Sequence, residues 1–124
     1  MTEKEMIIYI AGLLEGEGCF DTYDNGSGRL YARVILKMTD KDIIEKYASY
    51  VEQLTNRTTP KKIYECVQKV ENHKTQYAYY LQGSAAFTIM NKLKPFMGVR
   101  RSNKIDELLS ILGKQNSVSP QSVI

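Results

Sequence analysis

The sequence predicts an α+β domain in which four antiparallel strands form one sheet that helices cover on one face. Three observations lead to this expectation. The elements run in the order helix, two strands, helix, two strands and further helices; each strand pair surrounds a polar turn; and 124 residues allow one hydrophobic core but not two. We therefore expect the second face of the sheet to be open, basic and rich in tyrosine.

The composition excludes several classes of protein. Hydrophobic residues make up 43% of the chain and charged residues 25%, which is unlike a disordered, collagenous or coiled-coil chain. The net charge of +3 is too small to indicate nucleic acid by itself. Its distribution is uneven, because residues 1–28 contain one base and six acids and the remainder 16 bases and eight acids. An acidic end on a basic body suits a protein that holds a cation beside a polyanion, and chance segregation is the alternative.

The cysteines and the first apolar segment indicate the cellular environment. Cys19 and Cys66 lack metal-ligand spacing and suit a reducing compartment. The apolar residues 6–14 have acidic flanks, no cleavage site after them, and too little length to span a bilayer. We therefore expect a soluble, intracellular protein without a membrane partner.

The first helix is predicted over residues 6–14, whose apolar side chains recur at helical spacing. Thr2 is a suitable N-cap, and Glu5 three residues later completes a capping box. We expect the helix to end near Gly16 or Gly18.

Two strands joined by a tight turn follow this helix. Residues 19–24 and 29–38 resemble strands, and the polar turn at 25–28 is a strong hairpin signal. The second strand alternates, so its side chains divide between two faces. The apolar set is Ala32, Val34, Leu36 and Met38. The set expected on the open face is Tyr31, Arg33, Ile35 and Lys37.

The rest of the chain repeats this order. The further predicted elements are a helix at 40–54, strands at 61–70 and 76–82, and helices at 85–93 and 99–112. The mixed sequence of the second hairpin leaves its facing open. We place a single domain at residues 1–112 and a polar, loosely held tail at 113–124.

Two glycines, Gly12 and Gly16, lie four residues apart and therefore on one face of the first helix. Glycine inside a helix costs about 1 kcal/mol relative to alanine, so the pair needs an explanation. Such a face lets another helix approach closely, either from the same chain or from a second copy. The other helices have no matching small-residue face, which favours the second copy.

Two acids, Glu15 and Glu17, lie where the first helix ends. Carboxylates there meet the negative end of the helix dipole, which disfavours them unless a cation is near. A hard divalent cation such as Mg²⁺, bound by carboxylate and backbone carbonyl oxygens, offsets this repulsion. A solvated acidic turn without a metal is the alternative.

Residues 10–18, Ile-Ala-Gly-Leu-Leu-Glu-Gly-Glu-Gly, resemble the motif of the LAGLIDADG homing endonucleases. Residues 19–20, Cys-Phe, are typical of the start of that family's first strand, and the predicted elements match its αββαββα unit. Residues 36–42 resemble the end of its second strand and the start of its second helix. Residues 93–96 followed by Arg100 resemble its late leucine-proline segment and a base, so the resemblance covers most of the chain.

The resemblance implies a sequence-specific double-strand DNA endonuclease that acts as a homodimer. The two first helices would pack through Gly12 and Gly16 and bring Glu17 of each copy to the centre of the DNA-binding surface. The Glu17 carboxylates, the Gly16 carbonyls and the scissile phosphates would hold Mg²⁺, with Ca²⁺ or Mn²⁺ as substitutes in crystals. Each subunit would cut one strand of a pseudo-palindromic site. Such genes are usually carried by introns or other mobile elements.

Three positions depart from the family's pattern. Glu17 stands where Asp is common, which keeps the carboxylate chemistry. Asp40 stands where a Gln often orders water near the metal, and it either does the same or caps the second helix. Arg100, with Arg101 as a near alternative, stands where Lys is frequent; Arg stabilises phosphate charge but transfers protons poorly.

The open face is the candidate DNA surface, because a β-ribbon can enter the major groove and contact base edges. We expect Arg33 to contact guanine, Ile35 a thymine methyl, and Lys37 a base or a phosphate. The further candidates are Asp21, Tyr23, Arg29 and Tyr31 in the first hairpin and Lys62, Tyr64, Gln68, Gln76 and Tyr80 in the second. Residues 92–104 hold five bases, Arg101 among them, and no acid, which indicates phosphate contacts.

Other functions fit the same residues. A DNA- or RNA-binding protein of this fold that has lost cleavage, such as a maturase or a regulator, would bind without turnover. A small α+β interaction domain without nucleic acid would show no salt-dependent affinity for DNA. A nicking enzyme is a variant of the endonuclease.

Overall fold

Helices and strands follow one another in the predicted order. The computed structural model describes residues 1–56, 62–67 and 74–123, with the backbone alone from residue 114 onward. The elements are α1 (Glu3–Glu17), β1 (Gly18–Asp24), β2 (Leu30–Met38), α2 (Lys41–Leu54), β3 (Ile63–Cys66), β4 (Gln76–Gln82), α3 (Ser84–Leu93), a 3₁₀ turn (Lys94–Phe96) and α4 (Val99–Val123). The predicted α+β class is confirmed.

The four strands form one antiparallel sheet in the order β1-β2-β4-β3. β1 and β2 form a hairpin in which Gly18 lies opposite Leu36 and Asp24 opposite Leu30. β4 pairs with the other edge of β2 and places Tyr79 opposite Leu36. β2 is therefore a central strand, and its side chains lie in the middle of both faces of the sheet.

One face of the sheet carries the hydrophobic core. The predicted apolar set of β2 packs inward, since Ala32, Val34 and Leu36 are buried together with Phe20 of β1. The helices that cover this face contribute the buried residues Ile10 and Leu14, Ile44 and Val51, Ile89 and Leu93, and Ile105 and Leu108. The alternation predicted for β2 is thus confirmed, and its polar set is left on the opposite face.

The second hairpin has a defined facing, which the sequence leaves open. Tyr79 and Leu81 of β4 are fully buried, so Tyr80 between them lies on the face away from the helices. The register places Tyr64 of β3 opposite Ala78, on that same face. The strand predicted at 61–70 is described as Ile63–Cys66, and positions 61 and 68–70 lie outside the described residues.

The last helix is longer than predicted. α4 continues to Val123, so the predicted end at residue 112 is wrong. Leu112 is the last buried residue among the described side chains. The apolar pattern therefore marks the end of the packed face, whereas the backbone hydrogen bonds of a helix need no apolar contact to continue. Within the described ranges, no helix combines the length and apolarity needed to cross a bilayer.

α1 has a defined start and a tight end. It begins at the predicted capping box, in which the Glu5 N–H donates to Thr2 Oγ1 at 3.1 Å and the Thr2 N–H to Glu5 Oε1 at 2.8 Å. These contacts with Thr2 lower the pKa of the Glu5 carboxyl. At the other end, a Cβ on Gly18 would lie 2.8 Å from the Leu14 carbonyl oxygen. Glycine lets the chain turn directly from helix into strand, which fixes Glu17 at the junction.

Candidate functional site

The two acids at the end of α1 have different environments, and Glu15 is part of the fold. Its carboxylate accepts a hydrogen bond from the backbone N–H of Gly98 and pairs with Arg101, whose Nε lies 3.4 Å from Oε2. A Cβ on Gly98 would lie 2.8 Å from Glu15 Oε1, so a side chain there would require the Glu15 carboxylate to shift. Arg101 also donates to the Gly18 carbonyl and lies 6.0 Å from the centre of the Phe20 ring. Glu15 therefore joins α1 to the start of α4.

Glu17 has no such partner. Its side chain is exposed, and among the residues that the structure describes it forms no ion pair and no hydrogen bond. The last turn of α1 contains no basic residue. The described residues therefore supply no charge that compensates the carboxylate and the negative end of the helix dipole, which favours a cation at this point.

The oxygen atoms at the end of α1 fit a hard divalent cation. Glu17 supplies a carboxylate, and Gly16 belongs to the last turn, whose carbonyl oxygens lack partners within the helix. Such an ion takes about six oxygen ligands, so the others would come from water, a substrate or another chain. Across residues 1–56, 62–67 and 74–113, no three His, Cys, Asp or Glu side chains come together as a metal site.

Asp40 lies at the same end of the sheet as Glu17. Because Gly18 pairs with Leu36, the end of β2 adjoins the end of α1, and Asp40 follows shortly after β2. Asp40 occupies the N-cap position of α2, but its side chain makes no capping hydrogen bond. Of its two expected roles, side-chain capping is therefore not observed, and the exposed carboxylate is left without that function.

A basic groove of about 470 Å³ lies beside the start of β1. Arg100 and other polar side chains of α4 line it together with Cys19 of β1. Arg100 is exposed and has no partner within the described part of the chain, whereas Arg101 is engaged in the contacts given above. Arg100 is thus the basic side chain that is free to bind an anion next to the end of α1.

The face of the sheet away from the helices forms cross-strand rows of side chains. The rows are Cys19–Ile35–Tyr80, Asp21–Arg33–Gln82, Tyr23–Tyr31 and Lys37–Ala78–Tyr64. We call this surface the open face. Most of the side chains that the sequence predicts as DNA contacts are therefore brought together on one surface.

Asp21 of β1 and Arg33 of β2 form a doubly hydrogen-bonded ion pair on the open face. Arg33 Nε donates to Asp21 Oδ1 and Nη2 to Oδ2, each at 2.8 Å. These hydrogen bonds raise the pKa of the Arg33 guanidinium above its ordinary value. Tyr23 lies beside the pair, with its ring centre 5.5 Å from Arg33 Cζ. The sequence predicts both charged residues as DNA contacts but not their pairing; the turn at 25–28, which sets the register, is the signal that would reveal it.

The second hairpin adds an aromatic and basic corner to the open face. The rings of Tyr64 and Tyr80 meet edge to face with centres 5.7 Å apart, and Lys62 Nζ lies 5.1 Å from the centre of the Tyr64 ring. Gln76 begins β4 on the same face. Gln68, also predicted as a DNA contact, lies outside the described residues.

Most of the bases at 92–104 have acidic partners in the same chain. Besides the Arg101 pair, the ion pairs are Lys92–Glu3 at 3.1 Å, Lys94–Asp106 at 2.6 Å and Lys104–Glu107 at 3.8 Å. The sequence does not reveal them, because two of these acids lie beyond the basic stretch and Glu3 lies at the other end of the chain. Exposed pairs are weak and can open for a phosphate, but Arg100 alone among these five described bases has no acidic partner.

Arg29 lies away from the centre of the open face. It precedes β2 and lines a cavity of about 310 Å³ together with Ser84, Phe87 and Leu112. This cavity lies at the end of the sheet opposite to Glu17, because the end of α1 adjoins the other end of β2. Tyr31, another predicted DNA contact, lines the same cavity, so Arg29 lies near Tyr31 at the turn end of the first hairpin.

α1 presents an exposed strip that no described part of the chain covers. Gly12 and Gly16 are exposed, and a Cβ on either would meet nothing within 4 Å. Ile8, four residues before Gly12, is 47% exposed. Close packing within the chain, the first explanation for the glycines, is therefore not observed among the described residues, and pairing with a second copy is the explanation to test.

The fold is that of the LAGLIDADG homing endonucleases, as the resemblance predicts. One similar solved structure is the LAGLIDADG homing endonuclease I-GzeII in complex with its DNA target, with a TM-score of 0.62 and 15% identity over 90% of this chain and 36% of that chain. Another is I-DmoI with its nicked target DNA in the presence of Mn, with a TM-score of 0.53 and 18% identity over 82% of this chain and 56% of that chain. At these identities the likeness concerns the fold, and this chain spans about a third to a half of their lengths. No protein-family model and no curated protein matches the sequence.

Proposed function

We propose that this protein is a sequence-specific DNA endonuclease that cuts both strands as a homodimer with a divalent metal ion. The observation that carries the proposal is the exposed carboxylate of Glu17, which has no partner among the described residues and lies beside an open face that bears Arg33 and Lys37. A carboxylate that holds a cation, next to a surface that attracts a polyanion, is what metal-assisted phosphodiester hydrolysis requires. The likeness in fold to two endonucleases solved with DNA supports this class.

The second copy would dock on the exposed strip of α1. The strip of Ile8, Gly12 and Gly16 permits close approach of two α1 helices, because the glycines carry no side chain that would hold them apart. A two-fold axis through the strip brings the two Glu17 carboxylates together, since Glu17 directly follows Gly16. The same symmetry gives a DNA site composed of two related half-sites.

The metal would be held by this chain's oxygen atoms and by the DNA. Glu17 carboxylates and Gly16 carbonyls supply the protein ligands, and Mg²⁺ is the ion we propose. When bound, such an ion activates water as a nucleophile and stabilises the leaving 3′ oxygen. Asp40 accepts hydrogen bonds from water at the same end of the sheet, and Arg100 stabilises phosphate charge. We propose no DNA contact for Arg101, whose guanidinium is engaged by Glu15 and Gly18.

The open face would lie in the major groove. Each base pair there presents a distinct pattern of donors, acceptors and methyl groups, which strands can contact. Arg33 suits guanine, Ile35 a thymine methyl and Lys37 a base or a phosphate. Further contacts come from the aromatic and polar side chains Tyr23, Tyr31, Tyr64, Gln76 and Tyr80, with Lys62.

The experiment is a selection from a randomised linear duplex library with Mg²⁺, in which bound and cut fragments are both sequenced. Wild type, Glu17→Gln and the control Glu45→Gln are compared; Glu45 is exposed on α2 and outside the proposed site. We expect staggered ends around a two-fold-symmetric motif from wild type and the control, and none from Glu17→Gln. If folded wild type neither enriches nor cuts any sequence, the proposal is contradicted.

A non-cleaving DNA- or RNA-binding protein is the second candidate function. The positions of Asp40 and Arg100 favour it, because both depart from the residues that are common in the resembling family. It predicts a bound symmetric motif with no cut ends from wild type or from Glu17→Gln. The same selection therefore separates the two functions.

A further inference from the structure

An acid, Asp21, lies on the surface that we propose to contact DNA. Among the described residues on the open-face side of the sheet, Arg33, Lys37 and Lys62 are basic, and Asp21 lies next to Arg33 on the edge strand β1. A free carboxylate there would repel phosphates and weaken binding. Asp21 is therefore an unexpected residue at this position unless it acts through one of its neighbours.

The neighbour is Arg33, and its guanidinium is held on two sides. The hairpin register places Asp21 directly opposite Arg33, and both side chains are about a third exposed, at 33% and 29%. The carboxylate binds the Nε–Nη2 edge of the guanidinium, with both hydrogen bonds at 2.8 Å. The Tyr23 ring lies 5.5 Å from Cζ, and Tyr23 in turn packs against Tyr31 at 5.8 Å.

This arrangement leaves one edge of Arg33 for recognition. A guanidinium has five N–H donors, and Asp21 takes two on one edge, so the Nη1–Nη2 edge keeps a parallel pair of N–H groups. That pair matches O6 and N7 of guanine, which accept two hydrogen bonds from one arginine in the major groove. Because the side chain is already ordered, binding would immobilise less of it.

We propose that Asp21 is a positioning residue that holds Arg33 to contact one guanine in each half-site and itself contacts no base. This inference rests on the proposed function, since it requires the open face to bind DNA. The carboxylate also cancels the charge of Arg33, so the pair adds little to sequence-independent attraction. Asp21 would thus lower the affinity for non-specific DNA and increase the discrimination between base pairs.

The first test compares base preferences after selection from a randomised library. The variants are Asp21→Asn, Arg33→Lys, and Asp42→Asn as the control; Asp42 is exposed on α2 and loses the same charge. We expect Asp21→Asn and Arg33→Lys to lower the preference for guanine at one shared position per half-site by about tenfold or more. Asp21→Asn should bind non-specific DNA as tightly as wild type or more tightly, and Asp42→Asn should keep the preference.

Two results of the selection would overturn the proposal. One is an unchanged guanine preference in Asp21→Asn. The other is loss of a cytosine preference instead, because a carboxylate that contacts a base directly accepts from the cytosine amino group.

The second test needs no DNA. In the free protein, the ¹⁵N relaxation of Arg33 Nε should show an ordered group in wild type and a mobile one in Asp21→Asn, with Asp42→Asn like wild type. Equal mobility in wild type and Asp21→Asn would refute the positioning role. If wild type enriches no DNA sequence, the proposed function fails and the guanine contact with it, while the relaxation data alone decide whether Asp21 orders Arg33.

Discussion

At the residue scale, the hydroxyl of Tyr47 is a buried polar group for which the described residues offer no hydrogen-bond partner. The side chain is fully buried and its ring packs edge to face on Tyr79 at 5.5 Å, but its hydroxyl makes no hydrogen bond within the described residues. The Tyr79 hydroxyl, in contrast, donates to Glu52 at 3.3 Å. A buried hydroxyl without a partner loses its hydrogen bonds to water and gains nothing in return.

We therefore expect Tyr47→Phe to raise the free energy of unfolding by about 1 kcal/mol. Tyr79→Phe is the matched control and should lower it, because that change removes a hydrogen bond. Urea denaturation of both variants measures the difference. A Tyr47→Phe protein less stable than wild type would show that the hydroxyl has a partner.

The same substitution has a pH dependence with a defined sign. Burial raises the pKa of the Tyr47 phenol above its ordinary value of 10.0. The unfolded chain releases this proton at a lower pH than the folded chain, so wild type loses stability as the pH rises above about 10. The stability advantage of Tyr47→Phe should therefore grow above that pH, which denaturation at about pH 8 and about pH 11 measures.

At the element scale, the end of α1 contains two glutamates, and substitution of each by glutamine should change the free energy of unfolding differently. Glu15→Gln removes the partner of Arg101, whose side chain is only 14% exposed, and should lower the free energy of unfolding by about 1–2 kcal/mol. Glu17→Gln removes an unpaired charge at the negative end of the helix dipole and should leave stability equal or higher by about 0.5 kcal/mol. Urea denaturation at one pH compares them, and equal losses would contradict the different roles assigned here.

In the exposed strip of α1, Gly12→Ala should have opposite effects on the stability of the single chain and on dimerisation. Alanine favours the helix by about 1 kcal/mol, and its Cβ meets nothing within 4 Å, so the single chain should become more stable. The same methyl group should hold two α1 helices apart and weaken the dimer. Gly113→Ala, also in a helix with open space around it, is the control and should stabilise the chain without changing association. Sedimentation and denaturation at several protein concentrations measure both effects. A dimer dissociation constant that is unchanged in Gly12→Ala would show that the interface lies elsewhere.

At the scale of the whole molecule, local patterns predict the fold and non-local contacts complete the site. The alternation of β2 and the capping box of α1 are properties of neighbouring residues, so the sequence predicts both correctly. The facing of the second hairpin depends on burial of Tyr79 and Leu81 under helices distant in the chain. The sequence does not predict this facing, because apolar and polar residues do not alternate clearly along these strands. The ion pair of Glu15 with Arg101 joins residues 86 positions apart, and the hydrogen bond that Glu15 accepts from Gly98 joins residues 83 positions apart. No local pattern indicates either contact.

In the proposed function, the Glu17 carboxylate is required to cut DNA. The most direct measurement is the single-turnover cleavage rate of the selected duplex in Mg²⁺ for wild type, Glu17→Gln and Glu17→Asp, with binding measured in parallel. We expect all three proteins to bind, Glu17→Asp to retain cleavage, and Glu17→Gln to lose on the order of 10³-fold or more in rate. Cleavage by Glu17→Gln at the wild-type rate would refute this role of Glu17.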